Sequence, residues 1–242
     1  MRQRRLKDLD EKLKELGPYL DTDGRQNKGK WREVFAESAV ASSGELTMML
    51  FEGVMTEDEV EEDIIDPEAK LCLELGCGKG RFLDGKAESE PDSMFIGAEG
   101  QESVIVRAAE KVRDSGRWNV YLIADYIHDV REYFEEGELD IVYLNFCDPW
   151  PKAKHMKRRL TYRENLQAYM DVLGDGGAIE FKTDNDGLFD FTVEEAEAMG
   201  YNIVEMTRDL AASGLEAAEH RTEYEEKFIE QGIPIKYLRI EK

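Results

Sequence analysis

From Leu71 to the end of the chain, short apolar runs alternate with amphipathic segments, and few folds accommodate that order. Strands are predicted over residues 71–75, 94–98, 120–124, 139–146, 178–181, 202–206 and 233–240. Helices are predicted over about 80–90, 102–115, 129–135, 162–173, 188–199 and 223–230, with tight turns at 76–80 and 174–177. Alternation of this kind implies an α/β fold with a mostly parallel, doubly wound sheet. The run Leu139, Ile141, Val142, Tyr143, Leu144 and Phe146 is nearly unbroken, as expected of a central strand covered on both faces.

Residues 1–68 follow a different pattern. Arg2, Arg4, Arg5 and Lys7 open the chain, and Leu6, Leu9, Leu13 and Leu16 recur at helical spacing before Gly17-Pro18 ends the helix. Residues 21–30 are polar and contain glycine, so a loop is expected there, followed by Gly29-Lys30-Trp31-Arg32 with Phe35 beyond. Residues 40–68 carry the acid-rich blocks Glu57-Asp58-Glu59 and Glu61-Glu62-Asp63 around an apolar piece from Met48 to Phe51, a short helix and a solvated connection. The expected division is therefore an N-terminal basic arm, helix and acidic connection over 1–68, and a domain over 69–242.

At 242 residues the chain is long enough for one α/β domain with a substantial core. No apolar run is long enough to span a bilayer, and no leader pattern opens the sequence. Cys72, Cys77 and Cys147 are too few and too irregular for a disulfide framework or a zinc site, which fits thiols in a reducing cytoplasm; with His128, His155 and His220 scattered singly, no metal centre is expected. The net charge of -22 argues against a polyanionic partner in general. Lys152, Lys154, His155, Lys157, Arg158 and Arg159 form a local exception.

Four features carry chemistry. The first is Leu73-Glu74-Leu75-Gly76-Cys77-Gly78-Lys79-Gly80, a strand running into a glycine turn where a ligand can approach main-chain N–H groups. The spacing is G-x-G-x-G, unlike the dinucleotide fingerprint, and Glu74 precedes it by two. That suits a ligand with a cationic end, such as the amino-acid part of S-adenosylmethionine, better than a pyrophosphate. The second is Glu99, ending the next strand, where an acid accepts from ribose hydroxyls. The third is Asp125, ending the strand after that, placed for an adenine amino group. The fourth is Asp148-Pro149-Trp150-Pro151, a rigid acid–aromatic corner at the carboxyl edge of a central strand, where open α/β sheets bind ligands.

Longer segments narrow the field. The chain reads YLNFxDPWPKxxHxKRRLT from Tyr143, FKTDNxGLF from Phe181 and TEYEEKF from Thr222, and it opens with R-x-R-R and later Gly29-Lys30-Trp31. In these segments and their order it resembles the bacterial tRNA (guanine-N7)-methyltransferase family, the TrmB type, over residues 70–240. The resemblance implies a Rossmann-like class I methyltransferase with a doubly wound, mostly parallel seven-stranded sheet and helices on both faces. It implies transfer of a methyl group from S-adenosyl-L-methionine to N7 of guanine 46 in the tRNA variable loop, by a cytoplasmic monomer or homodimer. Carried over by position, Glu74, Gly76, Glu99, Asp125 and Asp148 would bind the methyl donor. Asp148 would be the catalytic acid, and Lys152, Asp184, Thr222, Glu223, Tyr224 and Glu225 would contact the tRNA. Lys152 to Arg159 would clamp phosphates.

The sequence departs from the family pattern at Cys147, where a small residue or proline is usual, and at Ala211, where histidine is common. Gly97-Ala98-Glu99-Gly100 is smaller than usual, and the 40–68 link is longer. Rival readings are a methyltransferase with another RNA or a protein acceptor, a nicotinamide-dependent oxidoreductase, and a non-catalytic RNA-binding module. The glycine spacing and Glu74 oppose the second, and three carboxylates around one turn oppose the third.

Overall fold

The computed structural model describes residues 8–42, 66 and 69–242. The basic opening at Arg2, Arg4 and Arg5, the apolar piece at Met48 to Phe51 and the acidic blocks up to Asp63 lie outside the described residues. Eight strands form one sheet among the described residues. They are β1 (Leu20–Asp21), β2 (Leu71–Leu75), β3 (Met94–Ala98), β4 (Val120–Ile123), β5 (Leu139–Asn145), β6 (Leu173–Thr183), β7 (Asn202–Thr207) and β8 (Lys236–Glu241). Their spatial order is β1-β4-β3-β2-β5-β6-β8-β7. All neighbours are parallel except β8, which runs antiparallel to both β6 and β7.

Period-two alternation assigns the strand residues to two cores. Leu71, Leu73 and Leu75 of β2 face one side with Met94, Ile96, Val142, Leu144, Ile179 and Phe181. Cys72 faces the other with Phe95, Leu122, Ile141 and Tyr143, as the register Cys72↔Phe95 and Cys72↔Ile141 requires. The first face is covered by α2 (Trp31–Ser42), α5 (Arg163–Val172) and α6 (Asp186–Met199). The second is covered by α1 (Leu9–Glu15), α3 (Arg81–Ser89) and α4 (Glu102–Ser115). In α4 the buried set is Ile105, Val106, Ala108, Ala109 and Val112, the stripe of an amphipathic helix. Two further helices, α7 (Leu210–Ser213) and α8 (Glu223–Glu230), pack near the carboxyl ends of β5 and β6. Among the described residues no helix is long and apolar enough to cross a membrane.

The expected alternation holds, with three differences. An eighth strand, β1, pairs Leu20 with Leu122 at the sheet edge, where a loop is expected from residue 21 on. The stretch from Trp31 is a twelve-residue helix whose buried face is Trp31, Phe35, Ala36 and Ala39. The glycine stretch 174–177 lies within β6, where the register against β5 shifts between Leu139 and Ile141. That irregularity absorbs glycines that read as a turn.

Trp31 is the largest fully buried side chain among the described residues. Its ring stacks on Phe134 at 5.7 Å and meets Tyr121 edge-on at 5.7 Å. Its indole N–H donates to the Tyr133 carbonyl at 3.0 Å, so the one polar atom of the ring is satisfied. Glu138 accepts from the main-chain N–H groups of Gly29 (3.1 Å) and Trp31 (3.3 Å), fixing the entry to α2. Trp31→Ala is expected to cost about 3–5 kcal/mol of stability, measured by urea unfolding; a loss below about 1 kcal/mol would mean that α2 lies outside the cooperative core.

Candidate active site

The site forms where β2, β3, β4, β5 and β6 end. Glu74 is only 2% exposed, on the face of the sheet that α3 and α4 cover. One carboxylate oxygen accepts from the Asn145 side-chain amide at 2.8 Å, and the other is buried without a hydrogen-bond partner. Burial pushes this carboxyl up to about 7, against the opposing pull of Asn145 and the Lys182 ammonium. Immediately beyond, Gly76 and Gly78 have φ of 79° and 57°, a region that favours glycine. A Cβ at either would meet nothing within 4 Å, so the turn faces open space. The turn is pinned from behind, because the N–H groups of Gly76 and Cys77 both donate to the Ala98 carbonyl, at 2.8 and 3.1 Å.

Glu99 leaves β3 half-buried and caps its own turn by accepting from Gln101 N–H at 2.9 Å. Asp125 leaves β4 half-buried; Tyr133 Oη donates to it, and Arg25 lies 3.3 Å away. Arg25 also stands 4.5 Å over the Tyr133 ring and pairs with Asp23 and Glu132. Two carboxylates thus lie on successive strand ends to one side of the glycine turn, and the N-terminal segment reaches the second of them.

β5 ends under strain. Phe146 has φ of 52° and Trp150 has φ of 38°, costly for residues with a Cβ. Between them Asp148 is exposed, on a backbone stiffened by Pro149 and Pro151. Arg159 holds the corner: its guanidinium donates to the carbonyls of Pro149 (3.0 Å) and Trp150 (3.2 Å) and lies 4.2 Å over the Phe191 ring of α6. The basic run is therefore divided. Arg159 turns inward, Arg158 lies 4.9 Å over the Trp150 ring, Lys157 pairs with Glu164 at 3.2 Å, and Lys152 and Lys154 are exposed.

The T-E-Y-E segment sits beside this corner. Thr222 caps α8 by accepting from Glu225 N–H at 3.0 Å. Tyr224 is exposed and stacks against Phe146 at 6.3 Å, and Phe228 stacks on the same ring at 5.9 Å. Glu223 lies 3.9 Å from Lys79 of the glycine turn. Glu225 faces inward: it is 1% exposed and lies 3.5 Å from the equally buried Lys182. Burial pushes Lys182 down and Glu225 up, and each opposes the shift of the other. Lys182 also donates to the carbonyls of Ala217 and of His220 (2.9 Å). Asp184, just past β6, is half-buried, and its carbonyl accepts from Lys236 at 2.9 Å.

Asn145, Lys182 and Arg25 are functional candidates that the sequence reading passes over. The signal for the first two was present, since each is a polar residue inside a strand buried on both faces. Among the described residues no group of three His, Cys, Asp or Glu side chains is placed to hold a metal. The orphaned Glu74 oxygen and the open glycine turn fit a ligand with an ammonium end lying along the main chain, and Glu99 and Asp125 suit the hydroxyls and amino group of a nucleoside.

Residues 68–238 match the model of a family described as putative methyltransferases. The fold matches a structure described as an antibiotic-related methyltransferase, with a TM-score of 0.53 and 16% identity over 78% of this chain and 94% of that one. It also matches a SAM-dependent methyltransferase from Aquifex aeolicus, with a TM-score of 0.50 and 11% identity over 86% and 97%. Fold and site together define a class I methyltransferase. A tRNA (guanine-N(7)-)-methyltransferase of Oceanobacillus iheyensis is 37% identical over 97% of this chain and 96% of its own length. The Bacillus subtilis protein of the same name is 47% identical over 71% and 80%. The chain belongs to this tRNA (guanine-N7-)-methyltransferase family, the TrmB type.

The buried carboxyl of Glu74 has a measurable consequence. From about pH 4.5, where the unfolded chain releases this proton, to about 7, the folded chain keeps it. Its contribution to stability is therefore full below that window and is lost as pH rises through it, by up to about 3 kcal/mol. Urea unfolding at pH 5 and pH 7.5 should show that loss in the parent relative to Glu74→Gln, whose amide does not titrate; an identical pH dependence in the two would mean that Glu74 titrates normally.

Proposed function

We propose that this chain, acting in the cytoplasm, transfers the methyl group of S-adenosyl-L-methionine to N7 of a guanine in tRNA, at position 46 of the variable loop. The observation that carries the reading is the exposed Asp148, held between two left-handed residues just past β5, the strand whose Asn145 bonds the buried Glu74 that precedes the open glycine turn. The names of its full-length relatives give the same acceptor and atom.

The donor, when bound, supplies an electrophilic methyl on a sulfonium. Glu74 and the turn at Gly76 receive its amino-acid end, and the charge of the ammonium draws Glu74 into the ionised form. Glu99 takes the ribose hydroxyls and Asp125 the base edge, after Arg25 gives way. Guanine N7 brings a lone pair and no proton, so nothing in the chain has to act as a base. As the N7–methyl bond forms and the sulfur–methyl bond breaks, the electron pair passes to sulfur and positive charge passes to the purine. Asp148, beside the ring, stabilises that charge, and it touches the donor as well. Alignment by the rigid corner supplies much of the remainder.

On the acceptor side, Lys152 meets phosphate, and Asp184, Glu223 and Tyr224 line the approach of the target base. Thr222 and Glu225 serve the same approach from within α8, one capping it and the other anchoring it to Lys182. Labelled methyl transfer to an unmodified tRNA transcript, mapped by cleavage at N7-methylguanine, is expected to give one cleavage in the variable loop. Asp148→Ala should lower kcat about 10²–10³-fold. Label elsewhere in the tRNA would reassign the target, and no label with the donor bound would move the activity to another acceptor.

The divided basic run separates two kinds of contribution. Lys152→Ala with Lys154→Ala should weaken tRNA binding and reduce its salt slope by roughly two. Arg159→Lys keeps the charge but loses the fork that spans two carbonyls, so kcat should fall while the salt slope stays unchanged. A parental kcat in that variant would remove Arg159 from the support of the corner.

A further inference from the structure

Gly100 follows Glu99 at the end of β3, and Tyr126 follows Asp125 at the end of β4. β3 and β4 are parallel neighbours with Ala98 opposite Ile123, and Glu99 N–H donates to the Ile123 carbonyl at 3.1 Å. Both carboxylates, and the residue after each, therefore leave the sheet side by side. A Cβ at Gly100 would lie 2.2–2.4 Å from three carbons of the Tyr126 ring. The ring occupies the position that a side chain at residue 100 would take. One of its faces rests on the Gly100 main chain, and the residue is 63% exposed. An aromatic ring displayed in this way, at the strand ends that carry Glu99 and Asp125, gains little from its own packing.

We propose that Tyr126 is the aromatic wall of the nucleoside subsite, its open face stacking on the adenine of S-adenosyl-L-methionine. The inference rests on the reading given under Proposed function. A flat, neutral purine that carries an amino group suits a ring at the strand ends that carry Glu99 and Asp125. A phosphate-bearing RNA strand fits less well, because Glu99 and Asp125 both leave the sheet there and Arg25 is already held by Asp23, Asp125 and Glu132. Gly100 and Tyr126 then form a matched pair. Any side chain at 100 pushes the tyrosine ring aside, and without the tyrosine the turn after β3 has nothing to cover the base. This pairing gives the unusually small Gly97-Ala98-Glu99-Gly100 stretch a physical reason at its last position. At Gly97 the reason is packing, since a Cβ there would lie 2.4 Å from Leu83 Cδ1.

The test is calorimetric titration of the full chain with S-adenosylhomocysteine, with tRNA binding measured separately. Tyr126→Ala is expected to weaken S-adenosylhomocysteine by about tenfold or more, the scale of a lost base–aromatic stack. Tyr126→Phe should stay within about twofold, because only the ring stacks. Gly100→Leu combined with Tyr126→Ala should recover most of the affinity, with leucine covering the base from the other side of the pair. Parental affinity in Tyr126→Ala overturns the proposal. So does a loss confined to tRNA binding, which would make the ring part of the RNA surface. If the parent itself fails to bind S-adenosylhomocysteine, the assigned methyl donor falls and this subsite with it, whereas an unchanged Tyr126→Ala beside a binding parent removes the subsite alone.

Discussion

A carboxylate buried to 2% exposure within a parallel sheet is expensive, and much of the site is arranged around that of Glu74. It is the fourth residue of β2, a strand otherwise made of leucines and a cysteine, so its own strand offers no polar side chain to offset the lost hydration. Asn145 on the adjacent β5 offers one hydrogen bond, Lys182 on β6 offers a distant charge, and the second oxygen is unmatched. A fold selected for stability alone would put a leucine there. The carboxylate becomes favourable only when a cation meets the free oxygen, and the glycine turn beside it is the approach for one. On the proposed reading, donor binding would relieve this local cost.

Lys182 extends this arrangement to the acceptor side. Its carbonyl accepts from Phe146 N–H at 2.9 Å, which ties down the first left-handed residue of the strained corner. Its ammonium holds the carbonyls of Ala217 and His220 and the carboxylate of Glu225, which anchors α8. The corner carrying Asp148 and the helix carrying Tyr224 thus hang on one buried residue, and the ring of Phe146 joins them directly. Breaking such a pair leaves an uncompensated buried charge, a loss on the order of 3–5 kcal/mol. The corner itself stores strain at Phe146 and Trp150, and Arg159 opposes its release from the far side through two carbonyls and the Phe191 ring. Rigidity at Asp148 comes from these two clamps together with the prolines.

The strands were legible because burial on both faces leaves nearly continuous apolar runs, and the candidate site was legible because Glu99, Asp125 and Asp148 stand just past the ends of such runs and Glu74 interrupts one at its next-to-last residue. The helix from Trp31 was harder to see. Two of its four buried residues are alanines, which carry little pattern, and its real signal is the tryptophan that fills the space beside Tyr133 and Phe134. The two-residue strand at Leu20 has no sequence signature at all, because it exists only through its pairing with Leu122. Glu225 was readable in principle: Thr222, Glu225 and Phe228 or Ile229 recur on one helical face, and that face is turned inward. Nothing local distinguishes Arg159 from Arg158 in a basic run. Only the return of the chain past Pro149 and Trp150 decides which of them faces the corner.

The same division of cations bears on how a chain with net charge -22 meets RNA. Many arginines of the acidic body already have carboxylate partners: Arg113 pairs with Glu15 and Asp114, Arg131 with Asp129 and Asp171, Arg208 with Asp190, and Arg239 with Glu180. They add little outward potential. Lys152 and Lys154 are exposed beside the corner, and Arg158 is spread over the Trp150 ring. At physiological salt the acidic body is screened beyond about 8 Å, so it neither captures nor repels a distant phosphate strongly. Within that distance it does act, and a phosphate resting on the acidic parts of the surface is repelled. On the proposed reading, the acidic surface would work as a constraint on register, favouring a tRNA backbone that lies on the basic run and brings a nucleobase towards Asp148 and Tyr224.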